Sequence, residues 1–375
     1  MTEVMNVLDA WTRLPTGGRG RRRRPAVLIL PFLLILILAA CSPGSNTSST
    51  STPPSSTDAG REEAAQEDAA QDAPAAKQAG IVDPDNHGWP RAVRDAFGDI
   101  VEIPAKPERV LTLSLGLDEV VMALTGPERF AAISDIARSG YSNIVTQAEQ
   151  VPATVINDLE YILGLAPDIL LLDGMAQPEL VAQARDAGLT VFITDLHDTV
   201  GDHLANIQLI AYILGEEEAG AVLMEKVQQR VDALAALVEE ASAGQQKPRV
   251  VHLAPNLYVP GSATTSEEFI TRAGGINAVS EAGLVSWQQI SLEKLVEMAP
   301  EVIVHDEYDA DRLRSDILEH PAMADVPAVR DGRIYEIPSR YLTTLSFWNI
   351  RGAEELARHL WPEALGSVIF EDFDW

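Results

Sequence analysis

The sequence predicts an α/β protein of two lobes, each a parallel-type sheet flanked by helices, joined by one long helix. Three observations carry this expectation. Short apolar runs alternate with amphipathic stretches, the pattern of strand–helix–strand units. A helix–proline–strand unit occurs twice, at Leu159 to Asp173 and Leu292 to Asp306, with five of fifteen positions identical. A helical pattern from Asp202 to Glu240, weakest at Gly215, separates the two copies.

Residues 1–40 read as a leader. Arg19 and Arg21 to Arg24 make a positive start, and the apolar run Pro25 to Ala40 follows. That run is 16 residues, short of the roughly 20 a bilayer-spanning helix needs. It ends in Leu38-Ala-Ala-Cys41, as a secretory signal should end in small residues. Leu-Ala-Ala-Cys resembles the bacterial lipobox, which implies lipidation of Cys41 and a protein anchored on the outer face of the cell membrane. The leader holds six Arg against Glu3 and Asp9, so its removal takes the net charge from −28 to −32.

Residues 41–88 follow as lipid anchor and tether. The stretch from Ser42 to about Gly80 is Ser/Thr/Pro-rich, then Ala/Glu/Gln/Asp-rich. With almost no large apolar side chain it cannot offset the entropy of ordering.

The folded body is expected as an N-terminal lobe at 89–200, a bridging helix at 201–243 and a C-terminal lobe at 244–375. Arg109 to Leu113 and Ala131 to Ser134 read as buried strands, with a helix from Asp118 to Leu124 between them. Pro178 to Ala187 and Thr190 to Thr194 complete a helix and a strand. In the second half Arg249 to Leu253 mirrors the first strand, and Ser266 to Ala273 mirrors the first helix. Thr265 and Glu268 have capping-box spacing for that second helix. Ala328 to Pro338 holds the last strand. In each copy of the repeat a proline, Pro167 or Pro300, follows the helix and cannot extend its ladder. A stiff linking rod implies small lobe movements on ligand binding.

Composition excludes several functions. Lys+Arg is 28 against 56 Asp+Glu, the wrong balance for displacing counterions from nucleic acid. The single cysteine rules out a disulfide framework. Gly-x-Ser-x-Gly and the phosphate-binding Gly-Lys-Ser/Thr loop are absent, and no enzyme or cofactor is expected. The seven His are scattered. His305-Asp306-Glu307 is one strand end without a clear partner, so no bare-metal site is expected.

In this order, Asp95 to Pro104, Pro107-Glu-Arg-Val110, the two Leu-Glu…Pro-Asp/Glu units, Gly261 to Ile270 with Gly274-Gly275, Asp331 to Pro338 and His359-Leu-Trp-Pro362 resemble the ABC-importer substrate-binding proteins for ferric siderophores, haem and cobalamin. The resemblance spans about residues 89 to 365. It implies a monomeric, lipid-anchored binding protein that delivers an iron chelate of ferric-siderophore type to a permease and its ATPase, with cobalamin or haem as alternatives. It further implies that Glu160 and Glu293, alike in the two half-repeats, pair with permease arginines. Two negative points on one rim can set docking register.

Cleft residues should lie on loops after strands, which selects Arg138 and Tyr141 in the first lobe and Arg340 and Tyr341 in the second. Tyr258 lies in a loop before Gly261, and Trp287 just before the Glu293 helix, a place where the resemblance implies a ligand-contacting aromatic. Arg offers permanent charge and a stacking face to an anionic chelate, and Trp and Tyr offer flat apolar area with a polar tip. Ser114 to Leu117 and Asp173 to Met175 should line the first lobe by position.

Overall fold

A computed structural model describes residues 80–374, apart from 196, 197 and 309. The leader, Cys41 and most of the tether lie outside these residues. The folded part reaches back past the expected start at Trp89. The Gly80 carbonyl accepts from the Arg94 amide at 2.5 Å, and Ile81 bridges Val93. β1 (Arg91–Arg94) and β2 (Ile100–Ile103) then form an antiparallel pair.

The first lobe runs β3 (Val110–Thr112), α1 (Leu115–Thr125), β4 (Phe130–Ser134), α2 (Val145–Ala148), β5 (Thr154–Val155), α3 (Leu159–Leu165), β6 (Ile169–Asp173), α4 (Pro178–Asp186) and β7 (Val191–Thr194). Its sheet has the order β5-β4-β3-β6-β7, every neighbour parallel. β3, β4 and β7 are buried at every position. Helices cover both faces of such a sheet, so its strands read as continuous apolar runs rather than alternating ones.

Next come α5 (Val200–Leu214) and α6 (Glu217–Ser242). The second lobe runs β8 (Arg249–His252), β9 (Tyr258–Pro260), α7 (Thr265–Arg272), β10 (Ile276–Asn277), α8 (Ala278–Glu281), β11 (Trp287–Gln289), α9 (Leu292–Met298), β12 (Val302–Asp306), α10 (Ala310–Leu313), α11 (Pro327–Arg330), β13 (Ile334–Ile337), α12 (Ser339–Leu342), α13 (Asn349–Leu360) and α14 (Pro362–Leu365). Its main sheet is parallel, order β10-β8-β12-β13, and β9 with β11 forms a separate antiparallel ribbon.

The duplication extends to atomic detail. α3 and α9 both end in a left-handed alanine, Ala166 at φ 47° and Ala299 at φ 45°. An arginine at the start of the neighbouring strand reaches the carbonyls freed there. Arg109 bonds Ala166 and Leu165, and Arg249 approaches Ala299. The acid after each proline closes the loop, with Asp168 accepting from the Arg109 amide at 2.9 Å and Glu301 from the Arg249 amide at 2.8 Å. Helix, proline and strand are thus locked as one unit in each lobe.

The single bridging helix expected at 201–243 is two helices. Gly215 sits between them at φ 68°, in the left-handed region that glycine enters without a Cβ penalty. α5 packs against α6, and α6 runs between the lobes, touching α1 in the first and α7, α13 and α14 in the second. Its 26 residues span about 39 Å. Leu223, Val227, Val231, Leu234, Val238 and Ala241 make its buried stripe.

Of the expected capping box only the forward cap forms, one residue earlier. Thr264, not Thr265, caps α7 by accepting from the Glu267 amide. Glu268 instead accepts from the Val200 amide at 3.0 Å, tying α7 to the start of α5.

α1 is fixed to the first sheet by a fully buried carboxylate. Asp118 accepts from the hydroxyls of Thr112 and Ser134, at the ends of β3 and β4. Burial pushes it up to about 7 despite these bonds, and neighbouring Glu119 adds to the rise. Unfolded Asp titrates near 3.8. Between about pH 4 and 7 the folded chain therefore holds a proton that the unfolded chain has lost, and stability from this site falls as pH rises through that window. Asp118→Asn removes the dependence. The wild-type minus variant unfolding free energy, from urea melts, should drop by about 3 kcal/mol between pH 4.5 and 7.5. A flat difference would mean that the carboxyl is ionised in the fold.

Candidate functional site

Parallel sheets gather their loops at the carboxyl ends of the strands. In the first lobe this places Ser114 after β3, Asp135 after β4, Asp173 on β6 and Asp195 after β7. In the second it places His252 on β8, Asp306 and Glu307 at the end of β12 and Arg340 after β13.

The two sets of loops meet. Tyr141 of the first lobe and Tyr308 of the second have ring centroids 4.8 Å apart. The Tyr308 hydroxyl lies where a Cβ on Gly140 would stand, so only glycine permits this approach. Burial, with Glu307 and Asp306 next, raises the Tyr308 phenol above its ordinary value, and Arg340 works against the rise. Below this contact Asn143 donates through Nδ2 to Glu119 Oε1 and to the Arg340 carbonyl, both at 2.8 Å. Glu119 Oε2 accepts from the hydroxyls of Thr344 and Ser346 at 2.5 Å each. Glu119 is fully buried, and burial raises its carboxyl although all these donors oppose the shift. It joins α1 and the loop after β4 to the segment that follows α12.

The second lobe adds an aromatic surface. In the β9–β11 ribbon Tyr258 pairs with Gln289 and Trp287 with Pro260. Alternation puts Tyr258 and Trp287 on one face, while Val259 is buried on the other. Tyr258 is 43% exposed and Trp287 48%. Trp287 stands edge-on to His252 at 5.5 Å, which places it at the carboxyl end of β8. Burial pushes the His252 imidazole down to about 4, with His305 adding, so a neutral ring backs the indole. Its Nδ1 lies 2.9 Å from Ser266 Oγ.

The other sequence candidates have structural employment. Arg138 donates to the backbone carbonyls of Ala148 and Val151, holding the loop after β4. Arg340 stacks on Tyr341 at 4.7 Å and donates to its hydroxyl. Tyr341 is only 2% exposed, and its hydroxyl donates to Asp372. Its ring also faces the Arg351 guanidinium at 4.8 Å, so it belongs to the core rather than to a surface a ligand can reach. The His305 imidazole bonds the Asp306 carbonyl, and Glu307 accepts from the Ser339 amide and hydroxyl.

Glu160 and Glu293 occupy the same place in α3 and α9, second in the helix and exposed. The N-caps Asp158 and Ser291 accept from the amides of Tyr161 and Lys294. The Glu293 carboxyl is held below its ordinary range by its own backbone amide and by Ser291.

Sequence reasoning passed over Tyr308, Asn143 and Glu119. Acids inside the apolar run Leu117 to Leu124 were a usable signal for Glu119, since a charge within a buried helix needs partners. Asn143 had no comparable mark.

A family model described as "Periplasmic binding protein" matches residues 110–341. The uncharacterized ABC transporter substrate-binding lipoprotein YvrC of Bacillus subtilis is 22% identical over 73% of this chain and 87% of its own length. The cobalamin-binding protein of Halobacterium salinarum is 26% identical over 60% of each chain. Among solved structures, the periplasmic heme-binding protein RhuT from Roseiflexus sp. RS-1, in its apo form, superposes with a TM-score of 0.61 at 25% identity, over 68% of this chain and 99% of its own. With its duplicated parallel lobes and its single linking helix, this chain belongs to the periplasmic binding protein family.

Proposed function

We propose that the protein is the extracytoplasmic substrate-binding subunit of an ABC importer, and that its solute is an organic metal chelate carrying little negative charge, with a corrinoid of the cobalamin type as first reading. The observation that carries this is the exposed Tyr258–Trp287 face at the carboxyl end of β8, together with the acids Asp135, Asp173, Asp195, Asp306 and Glu307 at the carboxyl ends of other strands. Flat aromatic area suits a macrocycle or a compact chelate. The surrounding carboxylates, on a chain of net charge −28, oppose a polyanion. The two arginines assigned to an anionic ligand are engaged, Arg138 with backbone carbonyls and Arg340 with Tyr341. The ferric-siderophore reading thereby narrows to neutral or cationic hydroxamate complexes, which the same aromatic face and acids also accommodate. Resemblance to cobalamin-binding relatives puts the corrinoid first.

Tryptophan fluorescence titration with cyanocobalamin, a ferric trihydroxamate, a ferric tricatecholate and haemin tests the reading. Cyanocobalamin should bind at micromolar Kd or tighter, and Trp287→Ala should weaken it about tenfold, the loss of roughly 1.4 kcal/mol of stacking. Tight binding of the tricatecholate alone would reverse the charge argument.

Docking on the permease is assigned to Glu160 and Glu293, supported by their exposure and their matched places in α3 and α9. Glu160→Ala with Glu293→Ala should abolish uptake into cells while leaving the Kd within about twofold, because both residues are exposed on α3 and α9 and not on the loops that carry Tyr258 and Trp287. Undiminished uptake by the double variant would remove both residues from docking.

A further inference from the structure

Glu160 stands among apolar side chains that face water. Ile156 is 60% exposed, Tyr161 47% and Leu163 38%. α3 turns Ile162 fully into the core. Glu160 and Gly164, one turn apart, therefore form its outer ridge, with Tyr161 and Leu163 on either flank. A Cβ on Gly164 would meet nothing within 4 Å, so the ridge is low and open. Ile156 lies just ahead of the helix, where the Asp158 amide turns back onto its carbonyl at 2.7 Å. α3 follows β5, which runs parallel to β4, so this surface starts at the carboxyl end of the first sheet, as the cleft loops do.

The second lobe supplies an internal control. Gln289, Lys294 and Glu297 of its repeat stand where the first copy has Ile156, Tyr161 and Gly164. Lys294 pairs with Glu297 at 3.2 Å, and Val296, the counterpart of Leu163, packs against the second lobe's own core. The helix–proline–strand unit is thus built equally well with polar groups at these places, and its packing does not call for apolar ones. A single exposed Tyr or Leu is ordinary protein surface. Several gathered around one acid, and absent from the matching helix, mark a surface that another body covers.

The acid says what kind of body. Glu160 makes no hydrogen bond or ion pair among the described residues. Covering its flanks also takes its carboxylate from water, which is costly unless the cover brings a cation. A second copy docked by the same patch about a twofold axis would bring two unpaired Glu160 carboxylates together. An anionic bilayer surface repels both Glu160 and a chain of net charge −28. A protein surface with an Arg or Lys set among apolar groups fits. We propose that Ile156, Tyr161 and Leu163 form, around Glu160, an apolar anchor on which the importer's permease seats the first lobe, while the Glu293 helix meets it through polar groups alone. The proposal rests on the importer reading for the identity of the partner, and adds that the two docking contacts are unlike. The first should resist salt, and the second should be screened by it.

Two measurements test this. In the first, p-benzoylphenylalanine takes the place of Tyr161 in the full chain, made in its own cells, and the products of irradiation are identified by mass spectrometry. An adduct with an ABC permease subunit is expected. An adduct with another protein, a second copy or lipid, or no adduct at all, would overturn the anchor. In that event, uptake lost in the Glu160→Ala, Glu293→Ala variant keeps the importer reading standing, and undiminished uptake removes both. In the second, the captured permease and its ATPase are placed in nanodiscs, and binding of the chain is read by biolayer interferometry at low and high salt. The neutral variant Ile156→Gln, Tyr161→Gln, Leu163→Gln should bind at least about tenfold more weakly than wild type in 0.5 M NaCl, where charge contacts are screened. Tyr161→Phe, which keeps the apolar area, should bind as wild type does. Equal affinity of the Gln variant and wild type at high salt would sink the anchor. Should the Gln variant fail to melt cooperatively, Tyr161→Gln alone is read, with a loss of at least about threefold expected and no loss counting against the proposal.

Discussion

Both lobes depend on one stripe of side chains along α6. Leu223, Val227, Val231, Leu234, Val238 and Ala241 recur every three or four residues and are buried along the whole helix. The cluster they enter includes Val110 and Ile169 of the first sheet and Val250, Val302 and Phe269 of the second lobe. The lobes therefore share a core instead of meeting as separate domains across a linker. A helix gripped along its whole length bends little, so motion between the lobes is confined to what packed side chains allow. The C-terminal stretch tightens the same helix. Phe373 packs edge-on against Phe347 and Trp348, and Arg230 of α6 lies 4.6 Å from its ring while pairing with buried Glu354.

Adjacent acids on α1 divide the work at the strand ends. Asp118 turns toward β3 and β4 and secures the helix to its own sheet. Glu119 turns the other way and holds Asn143, Thr344 and Ser346. Each is buried, and each is surrounded by donors in place of water, the condition under which a low-dielectric interior tolerates such a group. Two successive positions on one helical turn thus fix the sheet below the cleft and the polypeptide crossing behind it.

The scaffold was readable in the sequence because it repeats. Leu159 to Asp173 and Leu292 to Asp306 announced helix, proline and strand twice, and both units stand where expected. The bridging helix was misread in length because an apolar helical pattern continues on both sides of Gly215, and pattern alone cannot tell a kink from a reversal. The cap of α7 was placed one residue late because Thr264-Thr265 and Glu267-Glu268 offer the same spacing in two registers. Side-chain roles were harder. Arg138 and Arg340 lie on the predicted loops, yet nearby carbonyls and a tyrosine ring claim their guanidinium groups. Such competition depends on loop conformation, which local pattern does not encode. Tyr258 and Trp287 share a face only because β9 and β11 pair across two intervening helices and a strand, a long-range register no spacing rule gives.

The ring of Tyr308 against Tyr141, with its hydroxyl over Gly140, has a kinetic consequence. This contact joins the rims of the two lobes, so any widening of the space between them begins by parting the rings. Parting them uncovers apolar area that the contact hides, and that cost opposes the movement. How often the rims stand apart is then set by collective motion of the lobes, a microsecond-to-millisecond matter, and not by side-chain rotation alone.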